Sequence, residues 1–543
     1  IDNICSMTLN TYTNYGDISI HLTLVTTPKD YICSVQCDRC YRRWDLLADI
    51  KKEITGVGVL RNGGSVYERF NIEAHDAPPR RKQPRPFTPR VSKVRLALWL
   101  LHEAWEGGLN LRRVEYRRVM LSRPCIYGVF SGRFGGFHPI RDKCVACLRC
   151  VEEYPEMCKV DRNSEFFKFA DSYWTTEDPA RASGSPVATI SYEAGTGKIP
   201  IKGMGFKGGF AEKGWDSIWT DMSEIVRPTR DGVYGREYIS TLVELGRKPQ
   251  FIKSFDAEQK RVSRIIEIPI PIIFDFLPSN LNSQSILRSI AFASRKVGTF
   301  FVASPEQIHG FSNDHCERIV PLVSSSDLEE HREIISTAPM VELTSHDSAA
   351  VKRVRELNPL APISVRLPLT MTTDTIAADL VKDGIDVIHL YANYHGNGWD
   401  TDHQVFVKDL IRSVHRKLVR ESLRDEVTLI ASGGITLAEH VPKAIICGAD
   451  LVALDTTILV ALQSKFLCDC STPKIGRIKP EKFDPDWGEQ RLVNLLASWH
   501  DQLIEILSAM GMRDVRRLRG DVGRAMFKED LEKEAFADIQ HRT

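Results

Sequence analysis

Neither an excess of charge of one sign nor a long apolar run marks this sequence. Its 543 residues carry 72 Lys and Arg against 71 Asp and Glu, a formal net charge of +1. No global field therefore draws the chain toward nucleic acid or an anionic membrane surface. A membrane-spanning helix needs roughly 20 largely apolar residues in a row, whereas the best candidate, Leu96 to Leu101, runs directly into His102 and Glu103. No nucleic-acid partner and no membrane span are expected. Disulfide-type spacing is also missing, because seven of the thirteen cysteines crowd into two short clusters whose spacing suits metal rather than disulfide pairing. That usage points to a reducing, cytoplasmic compartment.

The length exceeds the ~250–300 residues at which single cores stop growing, so at least two domains are expected. An alternating stretch from Ile18 to Leu24 reads as a strand leading to the first cysteine cluster. Residues 78–93, rich in Pro and Arg with few apolar residues, read as a linker or surface arm. Residues 94–123 look helical.

From about residue 270 the pattern becomes regular. Apolar, β-branched runs recur at Ile272–Leu277, Thr299–Ala303, Arg318–Val323, Met340–Leu343, Ile363–Leu367, Asp386–Tyr391, Val427–Ala431 and Leu451–Leu454. Helical patterns fill most of the gaps, clearest at Ser283–Lys296, Ala349–Leu357, Thr375–Lys382, Gln404–Arg420, Ala438–Cys447 and Ile458–Leu467. Alternation of strand and helix demands parallel strands joined by crossovers, and eight such units point to an α/β fold with a closed (β/α)8 barrel of TIM type. An open, doubly wound sheet is the alternative.

The second cysteine cluster, Cys144-x2-Cys147-x2-Cys150, places three thiols within one tight turn, where they can reach adjacent corners of a [4Fe–4S] cubane. The usual continuation is three residues and then Cys-Pro. Here that place holds Tyr154-Pro155, and the next cysteine is Cys158, the candidate fourth ligand. Zinc is the competing metal. Cys33-x3-Cys37-x2-Cys40 is compatible with a second cluster completed by Cys125, Cys158 or Cys5. It also has the spacing of radical S-adenosylmethionine enzymes, although no matching βα series follows it. Buried free thiols are the plainer reading.

In barrels of this type active sites lie at the C-terminal ends of the strands, and a phosphate commonly binds after strands seven and eight. Strand seven runs into Ser432-Gly433-Gly434 and strand eight into Asp455-Thr456-Thr457 at a helix start. Glycine permits close backbone approach, and a helix start offers free N–H groups. A flavin phosphate is expected there, although Gly-Gly is also an ordinary turn. Arg366, on strand five, is a candidate for stabilising negative charge on reduced flavin, or else a structural ion pair.

Five passages carry a family resemblance: GKIPIKGMGF (197–206), MSEIVRPTRDGVYGREYIS (222–240), VRELNPLAPISVRL (354–367), ASGGI (431–435) and FDPDWGEQRLVNLLASW (483–499). Residues 165–520 resemble the FMN-binding synthase domain of the glutamate synthase family, especially the shorter archaeal-type form with a ferredoxin-like segment before it. The resemblance implies FMN held at Gly433, Gly434, Thr456 and Thr457, with Arg366 where the family has a lysine near the flavin ring. Together with the cysteine patterns it gives metal ligands among Cys33, Cys37, Cys40, Cys144, Cys147, Cys150 and Cys158, in one [4Fe–4S] cluster or two.

The expected organisation is an N-terminal cysteine region over 1–77, a Pro/Arg-rich linker over 78–95 and a small α+β, ferredoxin-like iron–sulfur region over 96–175. The FMN-binding barrel with its extension follows over 176–475, and a helical tail over 476–543. The chain departs from the family at Phe276-Leu277-Pro278-Ser279 after strand one, Val302–Glu306 after strand two, Thr344-Ser345-His346-Asp347 after strand four and Asn393-Tyr394-His395-Gly396 after strand six. The family's three late cysteines are reduced to Cys468-x-Cys470.

The functional expectation is therefore an iron–sulfur flavoprotein oxidoreductase passing electrons between clusters and FMN, its substrate left open between 2-oxoglutarate and another compound. An electron-donor or acceptor protein, ferredoxin-like or a subunit of a hetero-oligomeric complex, is the expected partner. The alternative is a non-catalytic electron-transfer or scaffold subunit of a larger redox assembly.

Overall fold

In a computed structural model of the chain, the regular alternation of residues 270–460 closes into a barrel. The structure describes residues 70, 72–80, 87–106, 125–164, 186–200, 214–220, 239–247, 264–277, 283–309, 311, 317–400, 405–467, 477–479 and 483–536, with three strands nearer the N-terminus. The strands of the barrel are β1 (Ile272–Phe274), β2 (Phe301–Ala303), β3 (Ile319–Val323), β4 (Val341–Leu343), β5 (Ile363–Pro368), β6 (Val387–Tyr391), β7 (Thr428–Ser432) and β8 (Leu451–Leu454). Each pairs in parallel with the next, and β8 returns to β1 through Leu454 opposite Phe274. No edge is left unpaired in this sheet, which is what full closure accomplishes.

A helix follows every strand: α1 (Gln284–Val297), α2 (Pro305–Ile308), α3 (Arg332–Thr337), α4 (Ser348–Leu357), α5 (Thr373–Lys382), α6 (Val407–Arg420), α7 (His440–Cys447) and α8 (Thr456–Ala461). The expected helix over Ile458–Leu467 is thus corrected to a shorter one. Gln463 adopts φ +55, which ends the helix, and Lys465–Leu467 becomes a strand paired with Arg477–Lys479. The short α2 and α3 escaped the sequence pattern because one turn or two carry too little periodicity.

The lower end of the barrel is closed by a hairpin of Val243–Gly246 and Ile265–Ile268. Thr428 at the start of β7 ties it down, accepting from the Gly246 N–H at 3.1 Å and donating to the Gly246 carbonyl at 3.0 Å. A long helix, α9 (Pro485–Ala509), packs on α1 and on the helix Pro186–Thr196. Its Arg491 is fully buried and donates to the carbonyls of Ala461, Ala77 and Ser191.

Residues 72–80 lie along this helix. Asn494 grips the His75 backbone from both sides, and the Trp487 indole donates to the Pro78 carbonyl at 3.0 Å. The linker expected over 78–95 is thus partly structured. Pro78–Arg80 are docked, and Phe87–Val91 forms an antiparallel strand pair with Cys158–Arg162, because its alternate residues Phe87 and Pro89 are buried. The helix expected over 94–123 is seen as Lys93–Glu106, and residues 107–124 lie outside the described set.

Residues 1–68 form a separate unit, in which Ile20–Thr26 pairs antiparallel with Tyr31–Cys37, in keeping with the alternation from Ile18. Cys33 and Cys37 therefore lie on one extended strand, about 13 Å apart at ~3.3 Å per residue. Cys40, Cys5, Cys468 and Cys470 fall outside the described residues. Among the described residues no helix is long and apolar enough to cross a membrane.

At the base of α6 the His415 imidazole is wedged between Gly448 and Gly520, where an added Cβ would stand 2.3 Å from His415 Cβ and 2.2 Å from its Nε2. Arg424 Nε donates to His415 Nδ1 at 3.1 Å. Burial and the Arg424 and Arg519 guanidinium groups push this imidazole down to about 4. The unfolded chain takes up the proton near ~6.5, so between these values the unfolded state binds more protons than the folded one. Stability should be fully present above pH ~6.5 and decline as the pH falls toward 4. Urea midpoints measured across that window should drop for the natural chain and flatten for His415→Gln. An unchanged slope in the variant would refute the assignment.

Candidate functional site

The inward face of the barrel near its C-terminal end is ionic rather than apolar. Strand alternation turns Ser364 and Arg366 of β5 to one face, and parallel pairing sets Arg366 beside His389 of β6. Arg366 forks onto Asp275, just after β1, with Nη1–Oδ1 at 2.7 Å and Nη2–Oδ2 at 3.0 Å. It also donates to Glu342 of β4 at 3.0 Å. His389 lies 3.0 Å from Glu342 through Nδ1 and 3.0 Å from the Ser432 hydroxyl through Nε2.

Asp275, Glu342, His389 and Ser432 are all buried. Burial alone would raise both carboxyls. Arg366 and His389 around Asp275, and His389 and Arg366 around Glu342, hold them below the ordinary carboxylate range. The guanidinium opposes its own burial with the same two carboxylates and is raised. Removing one member would leave an uncompensated buried charge, a cost of roughly 3–5 kcal/mol. Of the two roles open to Arg366 in the sequence, the structure displays the ion pair. The guanidinium also lies over the Tyr391 ring at 4.9 Å.

The rim brings Gly433, Gly434, Thr456 and Thr457 together. Thr457 Oγ1, on α8, donates to the Ile435 carbonyl after the Gly-Gly turn at 2.6 Å. Both glycines have positive φ, +94 and +71. They are packed against the loop after β6, since a Cβ on Gly434 would meet Gly396 Cα at 2.6 Å and one on Gly433 would meet Asn393 O at 2.7 Å. Trp215 locks the turn from outside, its indole N–H donating to the Gly434 carbonyl at 3.1 Å.

Asp455, between β8 and α8, accepts from both the backbone N–H and the hydroxyl of Thr456. Burial, with the neighbouring Asp275 carboxylate, pushes Asp455 up to about 7. The sequence reading passed over Asp275, Glu342, His389 and Asp455. Their signal was a single ionisable residue within or at the end of each apolar strand, a position that faces inward in a closed barrel. In the loop after β4, His346 reaches Asp383 at 3.5 Å while Asp347 caps α4, accepting from the Ala349 N–H.

A second site lies in the small α+β region before the barrel. The turn of Cys144 to Cys150 passes through positive φ at two non-glycine residues, Ala146 (+53) and Leu148 (+62). Cys125, Cys144, Cys147 and Cys150 line one cavity, whose walls include Pro89, Phe130 and Val160. The Val129 N–H donates to Cys125 Sγ at 3.4 Å. Burial pushes the Cys144 thiol up to about 11, and Cys150, Cys125 and Cys147 are near enough to add to it. Cys158 is buried beside Val129 and Phe130, its thiol against that of Cys150. Among the described residues no three His, Cys, Asp or Glu side chains converge closely enough for one metal ion. The four thiols are instead spread around a cavity.

Residues 317–513 match the conserved region in glutamate synthase. An archaeal-type glutamate synthase [NADPH] of Dehalococcoides mccartyi is 25% identical over 444 residues, covering 70% of this chain and 86% of its own length. The archaeal glutamate synthase [NADPH] of Archaeoglobus fulgidus is 23% identical over 449 residues, covering 70% and 85%. A mandelate oxidase structure overlays 55% of this chain and 97% of its own, at 13% identity and a TM-score of 0.35, too distant to add to the barrel seen directly. Over about 70% of its length the chain is thus similar to archaeal-type glutamate synthases, and residues 317–513 carry the region conserved in glutamate synthase.

Proposed function

We propose that this protein is an iron–sulfur flavoprotein oxidoreductase in which a [4Fe–4S] cluster in the small region exchanges electrons with FMN at the barrel rim. The observation that carries this reading is the pairing, in one chain, of a cavity lined by four thiols with a parallel barrel whose last two strands end in Gly433-Gly434 and Thr456-Thr457. When bound, FMN interconverts one- and two-electron chemistry, and the protein's part is to position and tune it. Gly433, Gly434 and the start of α8 would hold the phosphate. Tyr391 and Arg366, at the mouth of the barrel, would face the substrate side.

The partner is a protein that gives or takes single electrons, ferredoxin-like or a neighbouring redox subunit, and the compartment is the cytoplasm, where cluster thiols stay reduced. A second cluster at Cys33, Cys37 and Cys40 would need Cys33 and Cys37 to leave the extended arrangement of Tyr31–Cys37.

One group at the rim opposes a phosphate. Asp455 occupies the Thr456 N–H that an anion would use, and its ionised form would repel one. Because its carboxyl is pushed up to about 7, it is neutral below that pH and charged above it. FMN should therefore bind more weakly at pH 8 than at pH 6, by on the order of tenfold, equivalent to about 1.4 kcal/mol. In Asp455→Asn, affinity should rise at pH 8 and the change between pH 6 and pH 8 should shrink to that of the phosphate's own second ionisation, near ~6. Fluorescence titration of FMN decides this, and equal pH dependence in both proteins would remove Asp455 from the site. Gly434→Val is a poorer probe, because its side chain would meet the Gly396 backbone before any ligand.

The second reading, an electron-transfer or scaffold subunit without catalysis, is favoured by the commitment of Arg366 to two carboxylates and of the Thr456 and Thr457 hydroxyls to internal acceptors. Glutamate formation from 2-oxoglutarate and ammonium needs cationic and acidic groups on the loops after the early strands. Here Asp347 is spent as a helix cap and His346 on Asp383. With dithionite or reduced ferredoxin, FMN-replete protein should form glutamate far below the ~1–10³ per second typical of enzymes. Turnover within that range would restore glutamate synthase activity. A visible spectrum of the native protein without flavin bands would favour the scaffold.

A further inference from the structure

The cysteine run supplies three ligands from one turn and leaves the fourth corner of a cubane open. Where such runs usually continue with Cys-Pro, this chain has Tyr154-Pro155, so the fourth ligand must come from another segment. Two cysteines are near. Cys158 begins the strand Cys158–Arg162, opposite Val91, and is 2% exposed in a small core with Val129 and Phe130. Its thiol lies against that of Cys150 and near that of Cys125, but it is not part of the cavity wall. Cys125, nineteen residues before Cys144 in the sequence, is half-buried and lines the same cavity as Cys144, Cys147 and Cys150.

Local geometry holds Cys125 in that position. The Gly128 N–H donates to the Cys125 carbonyl, and the Val129 N–H donates to its sulfur at 3.4 Å. Gly128 turns through φ +76, which lets the following Val129 and Phe130 enter the core beneath the cavity. An N–H directed at sulfur is one of the means by which a protein tunes a cluster's potential.

We propose that Cys125, Cys144, Cys147 and Cys150 are the four ligands of this [4Fe–4S] cluster and that Cys158 is a core thiol outside it. The proposal rests on the cluster reading above and goes beyond it in fixing the ligand set. Each of the four thiols gives up its proton and binds one iron through sulfur, with no change of oxidation state. Cys158 keeps its proton and its packing.

The test uses the full chain, purified without oxygen and reconstituted with equal amounts of ferrous and ferric iron and with sulfide, which supplies the mixed-valence cubane without a further oxidant. Natural protein should hold about four irons and about four sulfides at this site. Cys125→Ala should lose about a quarter of that iron while keeping its sulfide, the composition of a [3Fe–4S] cluster, with the matching signal in the oxidised EPR spectrum. Cys158→Ala should keep both counts and the natural spectrum. Loss in Cys158→Ala with retention in Cys125→Ala, or retention in both, overturns the ligand set.

If natural protein takes up no iron and sulfide, or Cys147→Ala leaves them unchanged, the cluster reading itself fails, and the two failures are thereby told apart. Should Cys125→Ala not fold by circular dichroism, alkylation of the natural chain decides. Cys125 should resist iodoacetamide while the cluster is bound and react after a chelator removes the iron, with Cys158 unlabelled in both states. Labelling of Cys125 with the cluster in place would overturn the proposal.

Discussion

Closing eight parallel strands onto themselves creates an interior that only side chains can fill, and much of this molecule follows from what fills its upper layer. Two carboxylates, Asp275 and Glu342, meet one guanidinium, Arg366, and one imidazole, His389, inside the barrel. Buried charges are tolerated only when paired and hydrogen-bonded. Each of these therefore fixes its neighbour, and together they tie β1, β4, β5 and β6 in register. Ser432 on β7 completes the ring through His389, so the constraint reaches five of the eight strands.

That arrangement also shapes the chemistry available at the mouth. An arginine held by two carboxylates presents little net positive charge to a ligand, and the Asp275 charge is felt next door at Asp455. The charge cluster that stabilises the barrel interior therefore also raises the proton affinity of the rim residue where a phosphate would sit. The charge cluster and the proposed phosphate site meet at one pair of adjacent strands, β8 and β1, where the barrel closes.

The cysteine region obeys a different constraint. It is too small to bury much apolar surface, and its compact core consists of Val129, Phe130 and Cys158, with other cysteines packed against them. Backbone turns at Ala146 and Leu148 adopt φ values that ordinary residues avoid. Such local strain persists where surrounding structure or a ligand fixes it, and here it distributes thiols around a cavity. Small domains of this size usually lean on metal or disulfide cross-links for stability.

The sequence by itself determined the eight strands, the longer barrel helices and the order of the barrel, because apolar periodicity is a local property. Each strand position found by pattern lies within a few residues of its place in the barrel, and the Gly-Gly and Thr-Thr steps stand together at the rim as their positions after β7 and β8 implied. Partnership was not legible. Arg366 and Asp275 are 91 residues apart in the chain, and nothing local to either names the other. Whether Arg366 faces a flavin or a carboxylate is decided only when closure brings β1 beneath it. The same holds for Cys125 beside Cys144, for Asn494 gripping His75 and for the Pro-rich segment whose Phe87–Val91 finds a strand partner in Cys158–Arg162. Composition marked that segment as solvated. Tertiary structure decided otherwise, because a backbone can be recruited by any neighbour that satisfies its hydrogen bonds and buries its alternate side chains.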